Sequence, residues 1–183
     1  MVPEPDVGGA EEAAFDAHRV DDLGAWRKDC DAIDRVRKAE GIGRARMNCV
    51  MTGDVDGDGK PDTIELRVSK DGGSSGLAVS WGDGSFSMLG GGRRVLLTGA
   101  PLPTDPDDDV SDEVFDSMDW VADARVLPLQ DGKVRYPMGP ATVTVGGIAS
   151  ISGDALYISG DDAAGLVFFD AAGDRWRFIH LGL

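Results

Sequence analysis

Basic residues, histidine, cysteine and glutamate are all scarce in this chain. Lysine and arginine total 18 against 33 acidic residues, a formal net charge of −15. A nucleic-acid partner needs basic patches to neutralise phosphates, so this balance argues against one. Anionic membrane surfaces are disfavoured for the same reason. No run of 18 apolar residues exists, so no membrane span is expected. Two cysteines and two distant histidines are too few for a zinc site. No phosphate loop or dinucleotide fingerprint occurs. His18 falls in the helical region, and His180, which follows an apolar strand near the C-terminus, is read as packing or capping.

Aspartate, by contrast, is abundant. Of the acidic residues 27 are Asp and 6 are Glu, and short carboxylates suit turns and hard-cation ligation. A salt-adapted surface is the competing account. The aspartates concentrate in Asp54-Val-Asp56-Gly-Asp58-Gly59-Lys60-Pro61-Asp62-Thr-Ile-Glu65. Carboxylates stand at loop positions 1, 3, 5, 9 and 12, with glycine at 6, the pattern of a calcium loop. Alternate residues of a tight loop turn their side chains onto one point. Asp54, Asp56 and Asp58 are the first three expected ligands. Gly59 permits the sharp turn. Lys60 offers its backbone carbonyl, its charge pointing away, and Asp62 ligates directly or through water. Glu65 is a reserve ligand only, because Thr63 to Val68 alternates apolar and polar residues as a half-buried strand does. Ile64, Leu66 and Val68 then face a core, with Glu65 and Arg67 on the opposite side.

Met47 to Lys70, with its strand–loop–strand reading, resembles the calcium loop of FG-GAP or VCBS-type repeats, found in integrin-α-like propellers and secreted bacterial proteins. The resemblance is limited to about residues 47–70 of the 183. It implies a calcium-bearing β-hairpin in an extracytoplasmic β protein. One complete loop is present where a propeller repeats it in each blade.

The remaining chain is expected to be mainly β, with antiparallel sheets arranged as a sandwich, barrel or partial propeller. Residues 1–10 read as a disordered tail. Residues 11–43 read as a helical segment packed on the sheet, because Leu23, Trp26, Cys30 and Ile33 recur at spacings of three and four. Within it Asp21 or Asp22 is the expected cap of the second of two helices, and Gly41 or Gly43 its end. Residues 44–183 form the β-rich calcium-binding domain. Within them Gly82-Asp83-Gly84 marks a hairpin, and a short helix is expected near 112–122. The acidic run from Thr104 to Glu113 is either a second cation site or docking loop, or a solvated insertion. Cys30 and Cys49 either form a disulfide or remain as two buried thiols. Trp81 and Trp120 are candidates for a sugar or peptide platform, while Trp26 and Trp176 read as core. Gly72 to Gly76, which formally matches a nucleophile elbow, reads as a flexible loop.

No catalytic constellation emerges. The expected function is a secreted or cell-surface module, with structural calcium, that serves binding, adhesion or assembly with an unidentified protein or glycan. The alternative is a secreted hydrolase or carbohydrate-binding accessory domain using surface carboxylates and tryptophan. Residues 1–6 are neither basic nor apolar, so no leader is read there. The ion loop nonetheless argues for export, since loops of moderate affinity fill where calcium is abundant.

Overall fold

The computed structural model describes residues 14–101, 110–135, 142–144 and 151–181. The first half contributes β1 (Arg19–Val20), β2 (Trp26–Lys28), α1 (Ala32–Ala39), β3 (Arg46–Met47), β4 (Val50–Gly53), β5 (Asp62–Ser69), β6 (Ser75–Ser80) and β7 (Phe86–Gly90). The second half adds β8 (Val95–Gly99), β9 (Glu113–Phe115), β10 (Asp123–Leu127), β11 (Leu129–Gln130) and β12 (Lys133–Arg135). It ends with β13 (Thr142–Thr144), β14 (Ala155–Ser159), β15 (Ala164–Asp170) and β16 (Arg175–His180).

These strands make three sheets, and among the described residues none closes into a barrel. The first runs β1-β7-β6-β5-β2, with β4 also pairing β5. The second runs β3-β10-β14-β15-β16-β8-β9 and is mixed, since β3 lies parallel to β10 and β16 parallel to β8. The third is the small meander β11-β12-β13.

Side-chain alternation builds the layers. Ile64, Leu66, Leu77 and Val79 of the first sheet meet Leu156, Ile158, Val167, Phe169, Trp176 and Phe178 of the second in one core. The intervening residues Tyr157, Leu166, Phe168 and Ile179 point the other way, into a second cluster with Val134 of β12. Strands β14 and β15 are therefore apolar on both faces, and all seven residues of β15 are buried. A third cluster covers the outer face of the first sheet, where Ala78 and Met88 pack with Leu23.

The helical reading of 11–43 is corrected: among its described residues only Ala32–Ala39 is helical. Leu23 and Trp26 belong to a tight turn, in which Trp26 N–H donates to the Leu23 carbonyl and Gly24 N–H to Asp22. Residues on either side then add β1 and β2 to the edges at β7 and β5. Neither Asp21 nor Asp22 caps α1, which starts after Asp31, and Gly41 at φ +75° follows its end. The helix expected near 112–122 is likewise absent. Val114 pairs with Leu96 in the sheet, and Asp112 accepts the Gly99 N–H instead of opening a helix. The tail 1–10 and residues 104–109 of the acidic run lie outside the described residues.

Cys30 and Cys49 form a disulfide, with Cα atoms 4.9 Å apart. It joins the segment leading into α1 to the one leading into β4, the strand that carries the aspartate loop.

Candidate metal centre

Strands β4 and β5 run antiparallel with Gly53 opposite Asp62, so residues 54–61 form the loop of a hairpin. Val55 drops into the core with no exposed surface and anchors the loop. Gly57 and Gly59 adopt φ of +73° and +84°, which glycine reaches without strain. The aspartates fold the backbone around themselves. Asp58 N–H donates to Asp56 Oδ1 (3.1 Å), Lys60 N–H to Asp58 Oδ1 (2.7 Å), and Gly59 N–H to Asp54 Oδ2 (2.9 Å).

The result brings one carboxylate oxygen from each of Asp54, Asp56 and Asp58 within 4.8 Å of one another. Asp54 Oδ1 is buried without a hydrogen-bond partner. Burial, and then the charges of Asp62, Asp58 and Asp54, push the Asp56 carboxyl above its ordinary pKa. Three anions converging on a partly dry point repel one another, and a divalent cation removes that repulsion.

The other expected ligands are placed differently. Asp62 is fully buried. Its Oδ2 accepts the Val55 N–H and its Oδ1 the Gly82 N–H, each at 2.8 Å. Burial raises its pKa against the lowering effect of these amides. Asp62 thus staples the loop to the next hairpin. The Lys60 ammonium does not point away: Nζ lies 3.7 Å from Asp58 Oδ2, its stem against Gly82. Glu65 sits in β5, where its carboxylate bonds Lys28 (3.1 Å) and Arg67 (2.9 Å). Burial opposes ionisation there, but these two cations outweigh it and hold Glu65 below the usual carboxylate range.

One element of the site left no signal in the sequence. Residues 152–154, just before β14, close over the loop. Asp154 N–H donates to the Asp54 carbonyl (2.7 Å), and Asp54 N–H donates to Asp154 Oδ2 (3.0 Å). Asp154 Oδ1 also accepts the Leu129 N–H (3.0 Å). The approach requires glycine, because a Cβ on Gly153 would lie 1.9 Å from the Val55 carbonyl oxygen. A single carboxylate therefore links the loop of the first sheet to the second sheet and to the meander.

Other expected sites resolve as structure. Trp81 is core, not platform: it packs on Phe169 and Trp176, and its indole N–H donates to Ser87 Oγ. Ser75, within the glycine-rich stretch, is buried at the start of β6, with its hydroxyl bonded to Asp119. Trp120 is 41% exposed. It lines a cavity of about 210 Å³ together with Phe115, Phe178, Glu113 and His180. No protein-family model matches the chain, and no curated protein or solved structure matches it.

Proposed function

We propose that this chain is an extracytoplasmic β-rich module in which the 54–62 loop binds calcium, and that the ion stiffens a surface used for binding, adhesion or assembly. The observation that carries the reading is the convergence of Asp54, Asp56 and Asp58 around the unpartnered, buried Asp54 Oδ1. An acceptor in that position is costly unless something with positive charge meets it. Oxygen-only donors select a hard cation, and a loop with adjustable glycines suits calcium over the stricter geometry of magnesium. The resemblance to FG-GAP or VCBS-type loops supports the same ion. The Cys30–Cys49 disulfide supports an oxidising compartment. No helix among the described residues is long and apolar enough to cross a membrane.

The hydrolase alternative asks for two carboxylates in one deep pocket; the cavity at Trp120 presents Glu113 alone among the described residues. Titration calorimetry with calcium tests the first reading. Heat of binding that saturates by millimolar calcium supports it, and none at that concentration overturns it. Asp58→Asn is expected to weaken calcium at least about tenfold, which cuts the calcium-dependent stabilisation from about 2.7 kcal/mol at a hundredfold excess over the parent Kd to about 1.4 kcal/mol or less, read as a smaller calcium-dependent rise in Tm. In chelator its Tm stays close to the parent value.

A further inference from the structure

A second site stands apart from the aspartate loop, on the edge of the seven-stranded sheet. Leu97, Ile158 and Phe178 line it together with Phe115, Trp120 and His180. The rings hold fixed mutual angles: Phe115 and Trp120 meet edge to face at 6.4 Å, and Phe178 and His180 at 4.6 Å. Glycines make room for both pairs. A Cβ on Gly160 would strike the Trp120 ring at 2.8 Å, and one on Gly165 would strike Phe178 at 2.1 Å. Glu113 supplies a carboxylate at the same cavity, accepting a hydrogen bond from His180 Nε2 at 2.8 Å. Three of the five exposed large hydrophobics among the described residues, Val110, Val114 and Trp120, lie in or beside this stretch of chain.

Aromatic faces carry negative potential, and several of them around one carboxylate make a receptor for a diffuse organic cation. A compact, strongly hydrated metal ion finds too few oxygens here, and an organic anion meets Glu113 and the chain's charge of −15. A neutral apolar ligand engages the aromatic walls but gains nothing from the Glu113 carboxylate, whose Oε1 takes the His180 hydrogen bond. We propose that this cavity binds a small alkylated ammonium ion, with Trp120 and Phe115 facing the alkyl groups and Glu113 balancing the charge. A cavity of about 210 Å³ admits a head of that size as a free molecule. The proposal is independent of the calcium reading.

The test is titration of the full chain, by calorimetry and by the NMR indole signal of Trp120, with choline and with its neutral isostere 3,3-dimethylbutanol. Choline is expected to bind at least about tenfold more tightly than the isostere, the difference an aromatic cage draws from the charge. Glu113→Gln, a substitution at a half-exposed side chain, narrows that ratio; Trp120→Ala abolishes choline binding while Trp120→Phe retains part of it. Equal affinity for choline and isostere, or no choline binding at 10-millimolar order (about the weak limit of such contacts), overturns the proposal. So does binding to phosphatidylcholine vesicles without binding of free choline.

Discussion

At the scale of single residues, the same carboxylate chemistry serves three different ends. Asp58 lies exposed in the loop and converges with two like charges. Asp62, four residues on, has both oxygens committed to amide donors, one from Val55 in the loop and one from Gly82 in the next hairpin. Glu65 answers two cations on the sheet surface. Position in a motif cannot separate these roles, because the partners come from Gly82, Lys28 and other distant residues. The difference is measurable. Asp62→Ala strips the buried Val55 amide and the more exposed Gly82 amide of their acceptor and is expected to cost about 1–3 kcal/mol, in chelator as much as in calcium. A loss confined to calcium-loaded protein would instead make Asp62 a ligand. Denaturant unfolding under both conditions decides it.

His18 is the residue with the clearest pH consequence. It is buried between the two large sheets, with Nδ1 on Ser87 Oγ (3.0 Å) and Nε2 on the Asp174 carbonyl (2.8 Å). Burial pushes its pKa below 6.5, against the Asp174 carbonyl and carboxylate, with Arg19 and Arg93 adding to the depression. The unfolded chain therefore takes up the proton first. The stability due to His18 is complete above the unfolded value and is lost as pH falls through the lower, folded one. Melting of the metal-free chain from pH 8 to pH 5 should show a decline that His18→Gln reduces. An unchanged slope in the variant refutes the assignment.

At the scale of elements, strands proved more legible than helices. The β5 alternation placed Ile64, Leu66 and Val68 inward as expected, and the hairpin at Gly82–Gly84 joins β6 to β7 with Gly84 at φ +89°. Period-two patterns survive because each sheet face is fixed by burial. The three-and-four spacings were ambiguous. Leu23 and Trp26, or Val114, Phe115 and Met118, suit a strand running into a turn as well as a helix. Pairing decided them: β7 and β5 need partners for their outer backbone groups, and β1, β2 and β9 fill such edges. The disulfide belongs to this scale too. It ties the approach to α1 to the base of the aspartate hairpin, and its 19-residue spacing corresponds to about 3 kcal/mol of loop entropy. Replacing Cys30 and Cys49 together by serine should lower the unfolding free energy by that order and shift the denaturant midpoint down accordingly. A midpoint within error of the parent would show that the non-covalent contacts of this segment suffice alone.

At the scale of the whole molecule, the candidate metal loop lies at a junction. Asp154 reaches it from the second sheet and also holds Leu129 at the start of the meander. Ion binding at Asp54 is therefore expected to stiffen more than the hairpin. In hydrogen exchange, calcium should slow the amides of Asp54, Asp154 and Leu129 together. Protection limited to residues 54–62 would show that the loop responds alone.

The sequence by itself determined the local chemistry: which loop gathers carboxylates and which strands alternate. These depend on residues within a few positions of one another, where spacing translates directly into geometry. Tertiary structure alone decided that the two large sheets share a core, that Asp154 meets Asp54 across 100 residues, that Trp81 is interior, and that Trp120 borders a cavity with Glu113 and His180. Each of those depends on a contact between distant segments, selected by burying apolar faces and satisfying strand edges, and no local pattern encodes which segments will meet.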